Sequence, residues 1–179
     1  MRQTDYVILG LLSESPLTGY QMKKLIDIRF RFFWSESYGQ IFPTLKSLCT
    51  DHYIEEVDMT EKQKRAQKTY QITLEGLSAL QNWLHLPVER ESVRLEILLK
   101  LYFSHLVDSE VMVKHILKFQ LVHEQDLQIL NLFESELTKI IDQDQNHPNV
   151  LRVIDFGKKL NEAYLNWSRE TVQFLESQV

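Results

Sequence analysis

The chain has 179 residues, 44% of them hydrophobic, with only 5 Gly and 4 Pro, a composition that supplies a core and favours long helices over tight turns. Its apolar runs, such as Tyr6–Leu9 and Ile97–Leu99, fall far short of the roughly 20 residues that cross a bilayer; the opening MRQTDYVILGLL lacks a signal-peptide cleavage site; and the single cysteine, Cys49, excludes an internal disulfide and fits a cytoplasmic protein. The net charge of −5 does not advertise a nucleic-acid binder, but it is unevenly spread: residues 1–84 hold ten basic and ten acidic residues, whereas 85–179 hold ten basic and fifteen acidic, so the acid lies in the C-terminal half.

Thr4 is placed to cap a first helix with Tyr6, Ile8, Leu9, Leu11 and Leu12 as its apolar residues. Ser15-Pro16 ends it, because the residue before proline avoids helical geometry. Thr18 caps a second helix with a stripe of Met22, Leu25, Ile26 and the stem of Arg29. An aromatic stretch, Phe30 to Trp34, precedes a third helix that Ser35 or Ser37 opens and that runs to about Asp51, with Ile41, Leu45 and Leu48 inward and Pro43 in its first turns. The period then changes. Tyr53–Met59 and Lys68–Ile72 alternate as strands do, and Thr60–Gln67 between them is polar and carries Lys62, Lys64 and Arg65. Thr73 heads a fourth helix with Leu77, Leu80, Trp83 and Leu84 on its apolar face. Helices, a β-hairpin with an exposed basic tip, and a further helix make a winged helix-turn-helix.

Leu86-Pro87-Val88 reads as a linker, which divides a winged-helix domain over 1–86 from a helical domain over 87–179. No strand signal follows it. Ser92 opens a helix through Phe103, Asp108 or Ser109 opens a very long one to about Asp142, and Asn146–Asn149 separates it from a last helix over about 150–175. Helices of about 30 and 25 residues far exceed the globular mean of about 11–12. Their stripes exceed what a winged helix alone covers and are expected to meet a second copy of the chain, through Leu130, Phe133, Leu137, Leu160, Tyr164 and Trp167. The fold class is therefore mainly α, with an N-terminal winged helix and a C-terminal long-helix dimerisation domain.

In a winged helix the third helix enters the major groove by its N-terminal end. Here that end carries Tyr38, Gly39, Gln40, Pro43, Thr44 and Lys46. Gln40 has the donor and acceptor that suit adenine's edge, Thr44 suits a thymine methyl or a phosphate, and Lys46 a phosphate or guanine. Gly39 permits close backbone approach, and helix-start amides attract phosphate. Taken alone, Gln40, Thr44 and Lys46 read as a solvated face; the hairpin that follows them, together with the family resemblance described below, turns the reading towards DNA. Lys62, Lys64, Arg65 and Lys68 suit phosphate contact by the wing. The six histidines show no metal-ligand spacing, and no hydrolase, phosphate-loop or dinucleotide motif is present, so neither an enzyme nor a cofactor is expected.

The chain resembles the PadR family of bacterial regulators along its whole length. LGLLSESPLTGYQMKKL, with its Gly19-Tyr20 turn, looks like the family's opening helices; GQIFPTLKSL, Gly39–Leu48, like its recognition helix; KTYQITLEGLSALQNWL, Lys68–Leu84, like its second wing strand and following helix; and ERESVRLEILLKLYF, Glu89–Phe103, with the late Trp167, like the longer subfamily's C-terminal domain. The resemblance implies a homodimeric repressor on an inverted-repeat operator, with Tyr20 among the DNA-binding residues, and in some members release by a small aromatic or phenolic compound. Phe33, Trp34, Trp83 and Trp167 offer rings for such a ligand, and suit core or interface positions equally well. Two departures stand out. Phe42 replaces the usual tyrosine of the recognition helix, and Asp51-His52-Tyr53 replaces a glycine-containing turn, which implies a differently shaped turn and a shifted wing. A winged helix that docks on proteins instead of DNA is the alternative, favoured by the neutral N-terminal half; a small enzyme at a dimer interface is a third.

Overall fold

The computed structural model describes residues 1–57, 68–89 and 93–177. The chain divides into two compact units, Met1–Arg90 and Glu91–Val179.

The first unit opens with α1 (Gln3–Glu14), β1 (Leu17–Thr18) and α2 (Gly19–Leu25), which ends in a wide π-type turn, Ile26–Phe30; α3 (Tyr38–Thr50), β2 (Ile54–Val57), β3 (Thr69–Ile72) and α4 (Leu74–Leu84) follow. The helix α1 starts earlier than its predicted cap. Arg2 is the cap residue, and Asp5 accepts the Arg2 backbone N–H at 2.6 Å, which leaves Thr4 inside the first turn. Thr18 caps α2 as expected, in a reciprocal box with Gln21, and Thr73 caps α4 by accepting the Gly76 N–H at 3.1 Å. The three strands form one antiparallel sheet in the order β1-β3-β2, with Ile54 opposite Ile72, Val57 opposite Thr69 and Leu17 opposite Tyr70. Ile8, Leu9 and Leu12 of α1, Met22 and Ile26 of α2, Ile41, Leu45 and Leu48 of α3, and Ile54 of β2 make its core. The predicted strand end at Asp58–Met59 and the basic loop with Lys62, Lys64 and Arg65 lie outside the described residues, as does Ser92.

The turn after α3 corrects an expectation. Losing glycine does not abolish the left-handed turn, because His52 itself adopts φ 61°. The Tyr53 N–H donates to the Leu48 carbonyl at 2.9 Å and the His52 N–H to the Cys49 carbonyl at 3.2 Å, the paired bonds of a Schellman termination with histidine where glycine is usual. The β2 strand therefore leaves α3 through a left-handed turn held by strain in one side-chain-bearing residue.

In the second unit α5 (Glu96–Tyr102) leads through a short 3-10 turn to α6 (Ser109–Thr138) and, after a second such turn, α7 (His147–Glu176). Pro148 lies in the first turn of α7, where its missing N–H is harmless, so it starts this helix instead of separating two. The helices α6 and α7 pack on each other as an antiparallel hairpin, tied by Lys158 to Glu134 at 2.6 Å near the link and by Phe119 edge-on to Trp167 further out. This changes the predicted dimer seam: Leu130, only 1% exposed, is buried in its own hairpin, and Tyr164 and Trp167 pack on Phe119 of the same chain, while Phe133, Leu137 and Leu160 are half-buried. Between the helices Asn161 donates its amide to the Gly157 carbonyl at 2.7 Å, so its oxygen faces His123 Nδ1 at 2.7 Å. That arrangement makes Nδ1 the protonated nitrogen of His123.

Two substitutions probe this frame in opposite directions. A Cβ on Gly76 would lie 2.0 Å from the Tyr53 carbonyl oxygen, so Gly76→Ala should lower stability by about 1–3 kcal/mol. His52→Gly removes a left-handed strain of about 1 kcal/mol and should raise the thermal midpoint; equal midpoints for His52→Gly and the parent in a calorimetric scan would contradict the strained turn.

Candidate nucleic-acid interface

The surface of α3 follows from which of its residues are buried. Ile41, Thr44, Leu45 and Leu48 face inward, a spacing of three, one and three that fills one side of a helix. At about 100° per residue the side opposite them carries Gly39, Pro43, Lys46 and Thr50, all exposed. Lys46 has no ion pair among the described residues. Pro43 lies one turn beyond Gly39 and has no N–H to give its carbonyl, so an acceptor as well as a cation belongs to this face.

Thr44 is placed otherwise than the sequence reading assigned. It is 0% exposed, and its hydroxyl accepts a hydrogen bond from Arg2 Nη2 at 3.0 Å; a direct contact to a base or phosphate is closed to it. Gln40 is partly committed. Its Oε1 accepts from the Ser37 N–H and the Ser37 hydroxyl, each at 2.8 Å, as the cap of α3. Only the Nε2 donors remain for a base, which rules out the bidentate adenine contact expected of it while this cap is intact and leaves single-donor readout. Spacing alone shows both features: Thr44 shares the buried side with Ile41 and Leu48, and Ser37-x-x-Gln40 is a capping box.

Next to this face stands an aromatic group. Tyr20 of α2 meets Tyr38 and Phe42 of α3 with ring centroids 5.5 Å away in each case, and Tyr38 stacks on Phe42 at 6.0 Å. All three rings are exposed, so the two phenol hydroxyls reach solvent beside the helix. Lys23, which pairs with Asp27, lies 5.8 Å from the Tyr38 ring and is a neighbour of the site that pattern reading passes over. Gly19 allows this approach: a Cβ there would meet Phe42 Cε1 at 2.8 Å. At the hairpin base, Lys68 is bound to Glu56 at 2.6 Å, so the phosphate role given to it competes with a carboxylate partner.

The four rings named for a ligand each have their own local partners. Phe33 is exposed and tilts against Phe30; Trp34 donates Nε1–H to Glu36 at 2.9 Å; Trp83 stacks on Tyr6 at 4.6 Å; and Trp167 belongs to the second unit, against Phe119. Among the described residues no ring contact joins Phe33 or Trp34 to Trp83.

Residues 8–82, from within α1 to within α4, match the transcriptional regulator PadR-like family, and 93–176 match the virulence activator alpha C-terminal family. The chain carries a PadR-like regulator domain over residues 8–82. The negative transcriptional regulator PadR of Bacillus subtilis (strain 168) is 36% identical over 105 residues, 58% of this chain and 57% of that protein; the chain spans about half the length of the curated relatives it matches. The crystal structure of Bacillus subtilis PadR in complex with operator DNA is similar at TM-score 0.81 and 25% identity, covering 97% of this chain and 98% of that one. The same protein's structure in complex with p-coumaric acid is similar at TM-score 0.73 and 25% identity, covering 98% and 99%. In this PadR-like chain the outward surface of α3 is bounded by an aromatic group of Tyr20, Tyr38 and Phe42, in which the phenol hydroxyls are those of Tyr20 and Tyr38.

Cys49, on the flank of α3 next to the hairpin, has its thiol pushed up by burial and by the Glu56 carboxylate, with Lys68 pulling it back. At neutral pH it is therefore a thiol and a poor nucleophile. Glu56→Gln removes a raising charge, so the thiolate fraction at a given pH should grow and iodoacetamide labelling near pH 8 should quicken in the folded protein; an unchanged or slower rate would contradict this account.

Proposed function

We propose that this PadR-like regulator is a repressor that binds operator DNA as a homodimer, placing the Gly39–Pro43–Lys46–Thr50 face of each α3 in the major groove of an inverted repeat. The observation that carries the reading is the outward position of Lys46, without an ion pair among the described residues, on a helix whose opposite side is fully buried. Tyr20 and Tyr38 supply phosphate contacts beside it, Gln40 a single donor to a base, and Gly39 the close backbone approach. Lys62, Lys64 and Arg65 extend the contact through the wing. The relative solved on operator DNA supports this assignment.

The dimer reading rests on apolar surface. Leu117, Leu121 and Leu132 of α6 and Val153, Phe156 and Phe174 of α7 are exposed, large apolar side chains that a partner surface would take out of water. Covering them with a second copy brings two α3 helices into one assembly, as palindromic half-sites require. Leu160, one turn from Phe156, belongs to the same seam. The relative solved with p-coumaric acid supports a small aromatic effector, which would act by binding more tightly to the geometry that does not fit DNA. Such a regulator works in the cytoplasm.

The test is binding of the purified chain to the duplex upstream of its own gene over a salt series, with light scattering on the same sample. Selective binding that weakens steeply with salt, by a dimer at micromolar concentration, is expected. Lys46→Ala should weaken it about tenfold, or ~1.4 kcal/mol, within the range of a good base contact. A monomer under these conditions, or equal affinity for all duplexes, overturns the reading; a stable dimer with no affinity for any duplex favours a protein-docking winged helix.

A further inference from the structure

We propose that Arg2 is a phosphate ligand of this protein, pre-set at the edge of the recognition helix by Thr44 and Asp5; the proposal rests on the reading of α3 as the helix that enters DNA. The side chain of Arg2 is 66% exposed, yet it is not free. Its Nη2 donates to Thr44 Oγ1 at 3.0 Å and lies 3.6 Å from Asp5 Oδ1. The other oxygen of the same carboxylate accepts the Arg2 backbone N–H at 2.6 Å. Both ends of the residue are thus held by one aspartate that is itself buried, and the guanidinium is anchored to the middle of α3.

A guanidinium carries five N–H donors in a rigid fork. The hydrogen bond to Thr44 uses one and leaves the rest for an anion. The usual cost of fixing a long side chain on binding is already met by folding, so this arginine is a better phosphate ligand than an unrestrained surface lysine. It also explains Thr44. A buried hydroxyl among Ile41, Leu45 and Leu48 adds little to a core, but it gives the arginine a fixed anchor.

The placement fits a groove. At about 100° per residue, Thr44 lies on one flank of α3 and Tyr38 and Phe42 on the other, with the Gly39–Pro43–Lys46–Thr50 face between. A helix in the major groove has a phosphate backbone on each side. Tyr20 and Tyr38 serve one, and Arg2 faces the other. The cleft beneath Arg2 is bordered also by Ser47, Leu48, Asp51 and Tyr53. Its two carboxylates, Asp5 and Asp51, repel a phosphate from the interior, so the contact is made at the rim where the guanidinium is exposed.

The experiment measures affinity of the full chain for a labelled generic duplex between about 50 and 200 mM salt, a range in which each phosphate contact contributes about 0.9 to the log–log slope. Arg2→Gln should reduce the slope by about that amount. Arg2→Lys should keep the slope but bind less tightly, because it keeps the charge and loses the fork. Thr44→Val should also keep the slope and bind several-fold more weakly, because the anchor alone is gone. An unchanged slope in Arg2→Gln, in a folded protein whose parent binds the duplex, overturns the proposal while leaving the recognition-helix reading intact. A parent with no measurable affinity for duplex DNA overturns both.

Discussion

The inward packing of α3 governs the first unit. Ile41, Leu45 and Leu48 are sealed against α1 and α2, and a helix held on one side has no choice about what it shows on the other. Each of those side chains contributes roughly 1.5–3 kcal/mol by leaving water, more than any surface contact in the unit. The face of Gly39, Pro43, Lys46 and Thr50 is thus fixed to the core through a helix about 13 residues long, and its rigidity comes from hydrophobic burial on the opposite side. Gly19 extends the constraint to α2: only a residue without a side chain lets Phe42 come so near, and that approach brings Tyr20 to Tyr38.

Much of this was legible in the sequence, and the failures have physical causes. Long periodic segments gave α1, α3, α6 and α7, and the change of period after Asp51 gave the hairpin. The strand β1 has two residues, Leu17 and Thr18, too short for any alternation to register; it exists because β3 offers it an edge. The chemistry of Thr44, a hydroxyl near the start of α3, points to DNA, whereas its spacing from Ile41 and Leu48 puts it on the buried side. The amide of Gln40 suits a base, but the Ser37-x-x-Gln40 box in the same four residues claims its oxygen.

The second unit shows a different limit. Periodicity found its stripes but not their partners. A stripe on a long helix is equally satisfied by a neighbour in the same chain or by a second copy, and sequence holds no signal to divide them. The structure makes the division: Leu130 is given to the hairpin, while Phe156 and Leu132 are left outside. The polar pair His123 and Asn161 adds register to a seam that hydrophobic contact alone leaves free to slide, because shifting either helix by a residue leaves the buried Asn161 amide oxygen without its donor.

The neutral charge of the first unit is the strongest objection to a DNA-binding reading, and local pairing answers it only in part. Several of its cations are already matched: Lys23 with Asp27, Arg29 with Glu14, Lys68 with Glu56. Those pairs are on the surface, where an ion pair is worth about 1 kcal/mol or less, so a phosphate can compete for each cation. Lys46 has no such partner among the described residues. A surface of this kind attracts DNA weakly at a distance and depends on fit once in contact. It favours a regulator whose selectivity comes from two correctly spaced helices more than from electrostatic capture, and for such a protein the geometry set by the second unit matters as much as any single side chain on α3.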